Sequence, residues 1–335
     1  MKIKNQHYVP QLHLRHFSNT QTIRRKKTHY VYYYDKKMEI KSKINVKHAA
    51  MEKYFYDNEL IGQTIEHSLS MLESRINKDI YKDLISFEDP MIFEIPKYKM
   101  LFSEFLAVQL IRTKHNREDL KVQFKMIKEQ VLDGVEDINT DFLKQVQNMD
   151  SDESVKEVQL KNFKPENVKH YAKIFYDKKW MLLVNNTEIP FWTSDNPIVR
   201  FNPLNLDPYP NTGLISWGIQ IYFPLSSSLC LCMLDPERYV SFKKIEKVDP
   251  KDVQQNINKV EKMSIKIEDV IFLNSLQVKE CYRQIYSKLD DFELAEKMVK
   301  EDPSIKDLEN KTEIKVQKNW KPGSDLIIST NVGYK

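Results

Sequence analysis

Glycine is scarce in this chain, at 6 of 335 residues. A phosphate cradle made of glycine backbone needs several close together, and neither GxGxxG nor GxxxxGK followed by Ser or Thr occurs. Cysteine is scarcer still. Cys230, Cys232 and Cys281 are an odd count with no framework spacing, which argues against a disulfide scaffold and for a reducing compartment. Cys230 and Cys232 lie in LCLCML, where a strand turns both to one face, toward the core. No further Cys or His stands nearby at finger-like spacing for a metal. Long apolar runs are missing too. No window approaches the ~20 apolar residues of a membrane-spanning helix, and MKIKNQHYVP has no apolar segment of a signal peptide. The expected setting is the cytoplasm, with no membrane partner. Neither sign of charge dominates: 52 Lys and Arg stand against 48 Asp and Glu, a net +4. Bulk charge therefore does not single out nucleic acid. The run Arg24–Arg25–Lys26–Lys27 reads as a solvated turn unless folding gathers it with other basic residues on one face.

What is present is core material. Apolar residues make up 41%, including 17 Tyr and 16 Phe, which rules out wholesale disorder. The pattern reads as α+β, with one main domain over 1–290 and a charged tail over 291–335. Residues 7–17 begin extended, and Pro10 suits the start of a helical turn. HYVYYY (29–34) and EIKSKINV (39–46) have strand character, with Asp35–Lys36–Lys37 as the hairpin turn. Apolar residues at three- and four-residue steps from Ile61 to Ile80 predict a helix over 58–86. A second long helix is expected over 97–131. Residues 133–168 are acidic and weakly periodic, and read as a mobile insertion or a long surface connection. Strand signals follow at 179–184, 190–194, 218–225 and 229–234, as an antiparallel sheet. Residues 250–268 look helical, and VIFLNS (270–275) reads as a further short strand. The two long helices are expected to pack on the C-terminal sheet, with the N-terminal hairpin closing one side.

Short polar motifs punctuate this pattern. They are His7–Tyr8–Val9–Pro10 with Leu14 and Phe17; Glu66 with Glu73; Gln109 with Arg112 and Thr113; and Thr193–Ser194–Asp195–Asn196–Pro197. Trp180 and Phe223–Pro224–Leu225–Ser226 accompany them. In order and spacing, over residues 5 to about 286, the set resembles the bacterial family called domain of unknown function 4238. That resemblance implies a fold unit and no activity.

The residues themselves suggest where chemistry sits. On a helical wheel Phe102, Phe105, Leu106 and Leu110 form an apolar arc. Gln109 falls near its middle, Thr113 close by and Arg112 at its edge. A glutamine there needs hydrogen-bond partners or costs about 1–3 kcal/mol, so a polar cluster is expected against this helix. Glu66 and Glu73 share one border of the first helix, as a carboxylate pair for a divalent metal ion or as solvated, lysine-paired side chains. His7 suits a general base, a metal ligand or a structural hydrogen bond. Asp195 either caps a turn or projects from a strand end into a site, and Ser194 lacks a nucleophile-elbow setting.

Two function classes follow. One is a hydrolase of a phosphodiester or nucleotide, nuclease-like, in which His7, Arg112 and Asp195 converge as catalytic residues. Gln109, Ser194 and Asn196 would then bind substrate, with Glu66 and Glu73 as metal candidates. The other is a non-catalytic module that uses the same cluster to bind a nucleic acid, a small ligand or a protein. A role in genome defence is compatible with either.

Overall fold

The computed structural model describes residues 4–23, 25–57, 62–134, 140–204, 212–308, 312–316 and 328–332. Strand β1 (Asn5–His7) leads through Pro10 into one helical turn, α1 (Gln11–Arg15). Strands β2 (Asn19–Ile23), β3 (Lys26–Asp35) and β4 (Ile40–Asn45) pair antiparallel through β3. The turn after β3 is the expected one. The Asp35 carboxylate accepts from the N–H groups of Lys37 and Met38 at 3.2 and 3.0 Å, which lets an aspartate replace backbone partners in a tight reversal. Strand β5 (Met51–Lys53) comes back to pair with β1.

The first predicted helix is α2 (Gly62–Ile76), extended by a π-turn (Asn77–Tyr81) into α3 (Lys82–Phe87). It stops where Glu88 turns left-handed and the Asp89 carboxylate caps the turn begun by Pro90. A single helix over 97–131 does not form. There are two, α4 (Pro96–Arg112) and α5 (Lys114–Gly134), with Thr113 extended between them at ψ 154°. A broken helix leaves carbonyls without intrahelical donors, and here distant residues supply them. The Gln159 amide donates to Ile111 and Thr113 carbonyls at 2.8 and 3.0 Å, and the Tyr56 hydroxyl donates to the Arg112 carbonyl at 3.3 Å. The Thr113 hydroxyl then caps α5 by accepting from Asn116 N–H at 3.1 Å.

The acidic stretch expected to be irregular is mostly helical: α6 (Thr140–Asn148), α7 (Asp152–Lys161) and α8 (Pro165–Tyr176). Its helices are short, so periodicity is weak, but their starts are marked by the Ser151 cap and by Pro165.

Strands β6 (Lys179–Asn185), β7 (Thr193–Ser194), β8 (Val199–Phe201), β9 (Gln220–Pro224) and β10 (Leu229–Leu234) follow, then helices α9 (Pro236–Ile245) and α10 (Pro250–Asn256). The expected strand over 190–194 shrinks to β7, and the helix-like 250–268 divides into α10 and strand β11 (Glu261–Ile265). VIFLNS is not a strand. It lies inside α11 (Ile267–Glu280), because Val270, Leu273, Asn274 and Gln277 recur at helical steps that outrun the apolar segment. Strand β12 (Gln284–Ser287), helix α12 (Glu293–Glu301) and strands β13 (Thr312–Val316) and β14 (Ile328–Val332) complete the described chain. Helix α12 buries Ala295 and Val299 beside Tyr34, Trp192 and Val278, so the core extends past residue 290.

Of the two five-stranded sheets, one has the order β11-β6-β10-β9-β8, antiparallel except for the β11–β6 pair, and the second runs β2-β3-β12-β7, with β4 also on β3; β1–β5 and β13–β14 form two-stranded pairs. The architecture is α+β, as expected. The alternation in LCLCML assigns both faces of β10. Leu229, Leu231 and Met233 join Leu182, Ile221 and Phe223 against Phe102 and Phe105 of α4 and Phe175 of α8. Cys230 and Cys232 face the other way, with Leu183 and Tyr222, against Val270, Leu273 and Leu276 of α11. A sheet covered on both sides needs such a continuous apolar run. No described helix is long and apolar enough to cross a membrane.

Candidate functional site: a cleft at the break between two helices

The motif residues form two hydrogen-bonded knots. The first surrounds Arg112, which is 2% exposed. Its Nη1 donates to Glu73 Oε1 at 2.8 Å, its Nη2 to the His7 carbonyl at 2.6 Å and its Nε to the Tyr56 hydroxyl at 3.3 Å. The planar fork thereby joins β1, α2 and the turn after β5. Gln109, also buried, donates to the Tyr8 carbonyl at 3.2 Å, while its Oε1 has no hydrogen-bond partner. The His7 ring donates through Nε2 to the Lys47 carbonyl at 3.2 Å. Burial and then the Arg112 charge hold its pKa below the ordinary value. Glu66 stands at the border of this knot. One of its carboxylate oxygens is buried without a hydrogen bond, and burial raises its pKa against the pull of Arg112. Among the described residues no three His, Cys, Asp or Glu side chains are grouped to hold a metal ion, so Glu66 and Glu73 gain no third ligand there.

The second knot surrounds Asp195. Its carboxylate accepts from the backbone N–H groups of Tyr282, Arg283 and Gln284, each at 2.8 Å. Burial raises its pKa, and these amides together with Lys36 pull it back. The Ser194 hydroxyl donates to Gln277 Oε1 at 2.7 Å, and Asn196 Nδ2 donates to the Glu280 carbonyl at 2.9 Å. The Thr193–Pro197 segment is thus bound to one face of α11 and to the start of β12. His7 and Arg112 meet directly. Asp195 meets neither, and its charge is felt instead by the buried Tyr8 and Tyr286 phenols, whose pKa values are raised first by burial.

Each knot is followed by a residue on the wall of one open cleft. Thr113 comes after Arg112 and Asn196 after Asp195, and both line a cavity of about 420 Å³. The break at Thr113 starts α5 here, bringing His115, Asn116 and Asp119 to the same wall; α8 adds His170 and Tyr171, and β8 adds Arg200. Arg200 makes an ion pair with Glu280 at 3.8 Å, beyond hydrogen-bond range, and its side chain is 23% exposed. Its donors are available to a ligand in a way those of Arg112 are not. The segment carrying Leu214 and Ile215 closes another side. One of the rare glycines holds it: Gly218 sits at φ +81°, its N–H donates to Asp235 at 2.6 Å, and a Cβ there would meet Leu204 at 2.4 Å.

Chemically, the cleft offers two imidazoles, a carboxylate, two amides and a guanidinium around an opening of small-molecule size. His115, His170 and Arg200 carry no sequence signal of their own. They are single residues on separate elements, and only the fold gathers them. No curated protein and no solved structure matches the chain. A family model described as protein of unknown function (DUF4238) matches residues 5–291, which include both knots and the whole described cleft wall, and the chain belongs to that family.

Proposed function

We propose that this chain is a hydrolase of phosphodiester bonds in a nucleotide or nucleic acid, working in the cleft at the α4–α5 break. The gathering of His115, His170, Asp119 and Arg200 around one opening carries this reading. An imidazole is the side chain suited to exchanging a proton near neutral pH. One imidazole takes a proton from water as its oxygen attacks phosphorus. The P–O ester bond breaks, and the other imidazole protonates the departing alkoxide. Arg200 holds the charged non-bridging oxygens. His7, Arg112 and Asp195 then act at one remove, by fixing Thr113 and Asn196 on the wall.

The test is turnover of single-stranded DNA, RNA and nucleotides by purified protein, with and without divalent metals. His170→Ala is expected to lower hydrolysis about 100-fold or more with an unchanged melting temperature, since His170 is exposed. Absence of any cleaved substrate, or wild-type turnover by both His170→Ala and Arg200→Gln, overturns the reading. The alternative is a binding module. Ile215 at the cleft and Trp217 two residues on are 80% and 49% exposed, which favours docking of a ligand with apolar surface. Binding without turnover in the same assay would select it.

A further inference from the structure

We infer that the cleft accepts a single nucleotide unit, with its base on the apolar part of the wall and its phosphate at Arg200. This rests on the phosphodiester reading above and narrows its substrate. The volume, about 420 Å³, is in the range of small-molecule pockets and too small for a duplex. The wall is divided by element. Tyr171 and Ile174 of α8, Ile198 before β8, and Ile215 supply apolar surface; the first turns of α5 and Arg200 supply polar groups. A site for phosphate alone has no use for the apolar half. A flat base does, because it binds through its face on aromatic and aliphatic side chains.

Polar groups give the ligand a direction. Arg200 has an ion pair with Glu280 at 3.8 Å and no hydrogen bond to it, so an incoming phosphate can take its planar fork. Asp119 lies on the same wall and repels a phosphate while accepting from a sugar hydroxyl, which fits the sugar between the two ends. Asn116 Oδ1 is buried without a hydrogen-bond partner. A turn of that amide into the cleft gives it a donor, such as the exocyclic amine of a base.

The experiment is a binding titration of the full chain with inorganic phosphate, adenosine, adenosine 5′-monophosphate and a short single-stranded oligonucleotide. The wild type is compared with Tyr171→Leu, Ile215→Ser and Arg200→Gln, with melting temperature as the check on folding. The nucleotide is expected to bind at least about tenfold more tightly than phosphate, the gain of one stacked base, and at least about tenfold more tightly than the nucleoside, the gain of a phosphate on the Arg200 fork. Tyr171→Leu and the exposed Ile215→Ser should weaken nucleotide binding and leave phosphate binding alone; Arg200→Gln should weaken both and spare the nucleoside. If the oligonucleotide binds more tightly with the same variant pattern, the unit is the end of a strand; if not, it is a free nucleotide. Phosphate binding as tight as nucleotide binding, or nucleotide binding indifferent to all three variants, overturns the inference. Nucleotide binding with no cleavage of the oligonucleotide instead sinks the hydrolase reading and leaves this one. Equal hydrolysis of a simple dialkyl phosphate and the oligonucleotide does the reverse.

Discussion

Two arginines carry the same group into different roles. Arg112 spends its fork on Glu73, the His7 carbonyl and Tyr56, and this joins three segments remote in sequence. Lysine keeps the charge but cannot bridge three acceptors in a plane. Arg112→Lys should therefore lower stability to urea by about 1–3 kcal/mol; an unchanged unfolding midpoint would return Arg112 to the list of ligand-binding groups. Asp195 has the same character with opposite charge. In Asp195→Asn an N–H₂ must face a backbone N–H where a carboxylate oxygen stood. The expected loss is about 2–4 kcal/mol, read from the same unfolding curves, and a change below about 0.5 kcal/mol would contradict the caging role. The sequence marked Arg112 at the edge of an apolar arc and Asp195 at a strand end or turn, but most of their partners are backbone groups from other segments. Those are invisible in a residue pattern.

At the scale of elements, the break at Thr113 decides the site. An uninterrupted helix would carry His115 and Asn116 onward on the axis of α4, whereas the extended Thr113 lets α5 start afresh beside Asn196 and Arg200. Local propensity does not reveal it, since RTKHNR contains neither Pro nor Gly. Gln159 of α7 stabilises the break from a distance, and its side-chain Oε1 also accepts from Arg117 Nε at 2.6 Å. Gln159→Leu removes the donors to two carbonyls and the acceptor for one guanidinium. It should cost about 2–4 kcal/mol and make 152–161 a preferred site of limited proteolysis, which in the wild type should resist cleavage. Early cutting of the wild type within 152–161 would show that α7 is not the anchor described. The same lesson applies to VIFLNS. Four to eight apolar residues suit a buried strand or a buried helix equally, and the sheet that α11 covers settles which.

The molecule as a whole carries a pH signature. His13 is fully buried, hydrogen-bonded to Tyr81 at 3.2 Å and Thr193 at 2.8 Å, and stacked on Phe223. Burial pushes its pKa down from 6.5 to about 3. His16, stacked on Tyr81, is pushed down by burial and then by Arg15 to about 4. Both rings fold neutral, so the unfolded chain binds more protons below its own pKa of 6.5. Their contribution is complete above pH 6.5 and is lost as pH falls toward 4, at about 1.4 kcal/mol per pH unit for each ring. Urea unfolding between pH 7 and 4.5 should show this slope, and His13→Gln should reduce it by one ring's share, about 1.4 kcal/mol per pH unit. A wild-type stability flat over that window would rule out a neutral buried pair.

The sequence alone determined the α+β class, the β3–β4 hairpin, the two-faced strand β10 and the short motifs that place the chain in its family. Each of these rests on near-neighbour periodicity, or on residue chemistry such as an aspartate in a turn. Tertiary structure decided where α4 ends, that α11 is a helix, and that His115, His170 and Arg200 share a cleft. Those outcomes depend on hydrogen bonds and burial between residues tens of positions apart. A distant amide can satisfy the carbonyls of a broken helix and so make stable a local conformation that the neighbouring residues do not specify.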